Sequence, residues 1–89
     1  MNFEWDDIKN RNLLVERGLS FEMVVLALDD GRLLDDMFHP NTKQYAHQRL
    51  MVVDIDGYAC GVPYIVNEDH LFLKTIYQSR AFHKKYLTR

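Results

Sequence analysis

A single cysteine, Cys60, stands in the whole chain, so no internal disulfide and no cysteine-based zinc cluster can form. No uncharged stretch approaches the roughly 20 residues that a membrane-spanning helix needs. The opening residues, Met1-Asn2-Phe3-Glu4-Trp5-Asp6-Asp7, are acidic where a secretory signal would be basic and then apolar. These absences predict a soluble cytoplasmic protein. Repeats, low-complexity tracts and linkers are missing too, and 89 residues allow one domain, spanning 1–89. Nothing matches G-x-G-x-x-G, a P-loop or a G-x-S-x-G elbow. His39, His47 and His70 each lack a second His or Cys at i+3 or i+4, so they read as structural or surface residues. The acid pairs Asp29/Asp30, Asp35/Asp36 and Asp54/Asp56 lack the periodicity of a calcium loop. No metal and no cofactor is expected.

What is present is enough for a core: 47% apolar residues, with five Phe, five Tyr and one Trp. Alternation over 1–5 predicts a short strand, in which Phe3 and Trp5 read as core anchors. Asp6 is placed to cap a helix running to Arg17, and Gly18 to end it. Ser20 opens a second helix, apolar nearly all round at 23–28 and therefore expected to be deeply buried. Asp29-Asp30-Gly31 stops it. Strands are predicted over 32–38, 49–55, 58–66 and 70–77, with Asp56-Gly57 as a hairpin turn between the middle two. Pro63 implies that its nitrogen faces an edge, a bulge or a strand end. Cys60, inside an apolar strand, reads as a small core residue. Ser79 caps a last helix over 80–87. The order β-α-α-β-β-β-β-α predicts an α+β domain, with an antiparallel sheet of about four strands, the first two helices packed on one face and the last helix beside the sheet. The runs 23–28, 50–55 and 62–66 are the expected core, with Leu26 among its buried residues.

The net charge of −2 conceals a gradient. Residues 1–73 hold six Lys/Arg and all thirteen Asp/Glu, a net −7; residues 74–89 hold Lys74, Arg80, Lys84, Lys85 and Arg89 with no acid, a net +5. That asymmetry fits a polyanion-binding end, and it equally fits cations gathered at the negative end of a helix dipole. On a helix Arg80, His83 and Lys84 share one face, and Lys74 and Tyr77 arrive just before it. Arginine and lysine suit phosphate, and histidine is the usual proton carrier near neutrality. Cleavage of RNA without a metal needs such a set, whereas a solvated helix face closing the sheet needs no chemistry at all.

Phe3-Glu4-Trp5-Asp6-Asp7-Ile8-Lys9-Asn10, followed by Arg17-Gly18-Leu19-Ser20-Phe21-Glu22, resembles the opening of BrnT-type toxins, which run F-x-W-D, K-N and then H-G-V/I-S-F-E. Lys74-Thr75-Ile76-Tyr77-Gln78-Ser79-Arg80 with Lys84-Lys85 resembles the basic strand-to-helix end of that family, and Arg49 matches an arginine at its central hairpin. The resemblance implies a RelE-like fold and a ribonuclease toxin of a type II toxin–antitoxin pair that blocks translation. It also implies a ribbon-helix-helix or helix-turn-helix antitoxin as partner. Arg49 and Arg80 are then the expected catalytic or phosphate-binding groups, with His83 or Tyr77 moving the proton and Lys74, Lys84 and Lys85 on the RNA. Arg17 and Gln48 depart from the family, which has His and an acid there. A catalytically silent antitoxin-binding relative and a nucleic-acid-binding module without chemistry are the competing classes. The basic end and an exposed edge beside Pro63 are the expected docking surfaces for the antitoxin.

Overall fold

The computed structural model of the chain describes residues 2–44 and 46–88. Met1, placed by alternation in the first strand, and Arg89, counted in the basic end, lie outside them. The elements are β1 (Asn2–Glu4), α1 (Asp7–Arg17), α2 (Phe21–Asp29), β2 (Leu33–Phe38), β3 (Arg49–Ile55), β4 (Tyr58–Asn67), β5 (His70–Leu73), β6 (Tyr77–Gln78) and α3 (Arg80–Tyr86). Local chemistry sets the helix ends as the sequence predicts. The Asp6 carboxylate accepts the Ile8 and Lys9 amides at 2.8 and 3.0 Å, and Gly18 closes α1 at φ +68°. Ser20 caps α2 through the Met23 amide, and Asp56 and Gly57, at φ +53° and +85°, make the tight β3–β4 turn.

Two corrections concern the sheet. It is mixed and six-stranded among the described residues, in the order β1-β5-β4-β3-β2 with β6 also on β4. β1 runs parallel to β5, while every other pairing is antiparallel. The strand expected over 70–77 is broken in two. Tyr64 pairs with Leu73 and Gly61 with Tyr77, so three steps along β4 face four along its partner. The extra residue is a bulge, and it lies opposite Pro63, which has no N–H to donate. The Pro63 carbonyl still accepts the Lys74 amide at 2.8 Å. Pro63 is buried in a central strand, so the exposed edge expected beside it does not exist.

The core joins α1, α2 and one sheet face: Leu13, Phe21 and Val24 meet Met51, Val53, Val62, Tyr64 and Ile76. The N-terminal corner is built from Trp5, stacked on Phe21 at 5.5 Å, and from Asn10. Asn10 accepts the Phe21 amide at 2.7 Å and donates to Glu22 at 2.6 Å, which holds the Glu22 carboxyl below its ordinary value. α2 is not buried all round, as 23–28 suggested. Val24 is fully buried, but Leu26 is 68% exposed, because one side of a surface helix always faces water. The runs 50–55 and 62–66 enter the core except at Asp54, half-buried Ile65 and exposed Val66. Cys60 is buried, and desolvation pushes its thiol up to about 11.

Val24→Asp should therefore cost about 3–5 kcal/mol through an unpaired buried charge, whereas Leu26→Asp should stay within about 0.5 kcal/mol of wild type. Urea unfolding of both variants decides it, and equal losses would contradict this packing.

Candidate functional site

Side chains alternate along a strand, so β3 divides the molecule. Arg49, Met51 and Val53 face α1 and α2; Leu50 and Val52 face the other side, where α3 lies. The α3 position follows from its bonds. The Ser79 amide donates to the Ala59 carbonyl at 3.0 Å, extending the β4–β6 pairing by one step. The Ser79 hydroxyl then accepts the Phe82 amide at 3.1 Å. At the far end the Tyr86 hydroxyl donates to the Asp35 carboxylate on β2, which pairs with Val52. The last helix thus crosses this face of the sheet instead of lying beside it.

On α3 the four predicted residues have different fates. The His83 Nδ1 accepts the Ala59 amide at 3.4 Å, and the ring stacks on Tyr58 at 4.1 Å with 5° between planes. Its remaining proton is thereby assigned to Nε2, which can donate but cannot accept a proton without changing tautomer. Lys85 lies 5.3 Å from the Tyr86 ring centre. Arg80 and Lys84 are exposed, and among the described residues neither side chain has a hydrogen bond or ion pair. Lys74 is exposed over the Phe72 ring at 5.5 Å. Tyr77 lies across Gly61, where a Cβ would come within 2.6 Å of its hydroxyl, and burial raises its phenol.

Arg49 does not join this group. Its Nε donates to the Tyr64 hydroxyl at 3.0 Å, which donates in turn to Asp36 at 2.6 Å. Asp36 also pairs with the Arg49 guanidinium at 3.4 Å, and that guanidinium lies 4.7 Å from the Phe38 ring centre. Hydrogen bonding to Tyr64 raises the Arg49 pKa. The convergence expected of Arg49 with Arg80, His83 and Lys84 is therefore not found: β4 separates β3 from β5, and the two groups occupy opposite faces. The contacts missed were Tyr64, Asp36, Asp35–Tyr86 and Arg17, whose Nη1 donates to the Ile76 carbonyl in the bulge at 2.7 Å. One of them was available. A two-residue turn at Asp56-Gly57 fixes the register, which sets Tyr64 directly across from Arg49.

No protein-family model matches the chain, and no curated protein matches it in sequence.

The Asp35–Tyr86 bond ties α3 to the edge of the sheet, and its pH response has a definite sign. The Tyr86 hydrogen bond, then the Asp36 amide, lowers the Asp35 carboxyl below its ordinary 3.8, so this contribution is present above that pH and fades as acid titrates the folded form. The Tyr86 phenol is raised above 10.0, first by the same bond, so the contribution also fades in strong alkali. Tyr86→Phe should lower the melting temperature at neutral pH. The gap from wild type should narrow as pH falls below 3.8, which thermal melts across the acid range would show.

Proposed function

We propose that the chain is a BrnT-type toxin of a type II toxin–antitoxin pair, with the RelE-like arrangement that the resemblance implies. In this reading it cuts RNA without a metal ion and so blocks translation. The observation that carries it is the state of α3: Arg80 and Lys84 are exposed and uncompensated, one turn apart, while Asp35, the carboxylate bonded to this helix, is engaged by Tyr86. An RNA phosphate would supply the missing anion, and Arg80 offers the two-pronged donor that fits it.

The reaction is transesterification. The 2′-oxygen attacks phosphorus as its proton passes to a solvent water, the bond to the 5′-oxygen breaks, and that oxygen takes up a proton in turn. A 2′,3′-cyclic phosphate and a 5′-hydroxyl remain. Arg80 neutralises the transition-state charge, the His83 Nε2–H hydrogen-bonds to the departing oxygen while the Tyr77 hydroxyl or a water gives it a proton, and Lys74, Lys84 and Lys85 hold the strand. Arg49, on the other face and bonded to Asp36, is left out of this group. The resemblance makes the partner a DNA-binding antitoxin whose acidic or amphipathic segment covers the basic end.

A catalytically silent relative that only binds its antitoxin is the second reading. It is favoured by one observation: His83 and Arg49 both use hydrogen-bonding groups inside the fold. Induced expression in a bacterial host separates the two, with growth arrest and RNA cleavage expected for the enzyme and normal growth at good protein levels for the silent form. Arg80→Ala should fold normally and cut about 10²–10³ more slowly, a loss of about 3–4 kcal/mol in transition-state binding. Cleavage that a chelator abolishes, or full toxicity in Arg80→Ala, would overturn the mechanism.

A further inference from the structure

Two of the open grooves on the molecule differ in chemistry. The larger, between α2 and the β3–β4 turn, is walled by Asp29, Asp30, Asp54 and Asp56, so it repels a polyanion. The other, about 410 Å³, lies where β2 ends and β3 begins, with no carboxylate among the described residues lining it. Phe38, 71% exposed, forms one wall beside the Arg49 guanidinium, and Ile65 and Val66 form another. His47 and Gln48 add polar groups at the rim. Phe38 is among the most exposed large apolar side chains of the chain, and no burial in this fold accounts for it.

We propose that this groove seats one unpaired nucleobase of a single-stranded RNA, stacked on Phe38 and the Arg49 guanidinium. The inference rests on the ribonuclease reading and gives it a second contact region. A flat π-face, a guanidinium plane held rigid by Tyr64 and Asp36, and a side-chain amide for a base edge are the groups by which single strands are bound. The volume lies at the lower end of small-ligand sites, which suits one heterocycle. Arg49 is already neutralised by Asp36, so it acts here as a stacking plane more than as a phosphate ligand. The route is short. β2 is an edge strand, and Tyr86 anchors α3 to Asp35, only three residues from Phe38, about 10 Å along the strand. A strand gripped by Lys84 and Lys85 on one face can pass around that edge and leave a base on the other.

The test is fluorescence anisotropy of the whole protein with a labelled, mixed-sequence single strand, 2′-O-methylated so that it cannot be cut. Phe38→Leu should weaken binding about 5- to 150-fold, the range for loss of one stacked base, without changing the salt dependence. Phe38→Trp should bind like wild type. A duplex of the same sequence, its bases paired, should bind less tightly. Arg80→Gln and Lys84→Gln should weaken binding and flatten its salt dependence. If Phe38→Leu binds as wild type does, or the duplex binds equally well, the base site is overturned while the charge variants still report on the ribonuclease reading. If the Phe38 variant instead loses only antitoxin binding, the groove is a protein contact and the base site is overturned. No binding of RNA by the wild-type protein overturns both. Because Phe38 is exposed, its variants should melt like wild type.

Discussion

Because Pro63 has no amide hydrogen, the chain beside β4 cannot run past it in register, and the C-terminal third of the protein is arranged around that gap. β5 stops at Leu73, one extra residue is taken up, and β6 resumes the pairing at Tyr77. The carbonyl of Ile76, carried in the bulge, is satisfied from outside the sheet by Arg17 at the end of α1. β6 is only two residues long, and the Ser79 amide continues its pairing with Ala59 before the chain turns into α3. Where the last helix starts, and hence where its cations face, depends on a proton that proline cannot supply.

Adjacent acids on β2 serve the two faces separately. Neighbouring strand residues point in opposite directions, so Asp36 reaches Tyr64 and Arg49 on the α1–α2 side while Asp35 reaches Tyr86 of α3. The Asp35 carboxylate also accepts the Asp36 amide at 2.8 Å, which occupies one donor of an edge strand. A dipeptide that looks like a solvated charge pair in sequence thus ties β2 to β3 and β4 on one face and to α3 on the other.

The parts of this architecture that were legible are those set by neighbours in sequence. Asp6, Gly18, Ser20 and the Asp56-Gly57 turn act within a few residues, and their positions read directly. What could not be read depends on distant partners. Nothing in Asn2-Phe3-Glu4 says that it will run parallel to His70–Leu73, and Pro63 allowed a bulge without saying which strand would carry it. Leu26 and Val24 are equally apolar, and only the packing of α2 on β3 tells which faces inward. For the site, the pairing of basic residues on α3 was visible as an i, i+4 spacing, but the face that Arg49 takes required the sheet. The residues of the N-terminal motif in the family resemblance, Trp5, Asp6, Asn10, Phe21 and Glu22, all work in the N-terminal corner. They bear on the fold, and in the proposed reading the chemistry falls to the opposite end of the chain.

Cys60 sits in the middle of β4, hydrogen-bonded strands on either side, with its thiol out of contact with water and its ionisation suppressed. Only the thiolate reacts with alkylating reagents, so modification has to wait until the central strand separates from its neighbours. With a single cysteine in the chain, no second thiol blurs that signal. The natural sequence therefore carries its own clock for the opening of the sheet, read as the rate at which one sulfur atom takes up a label.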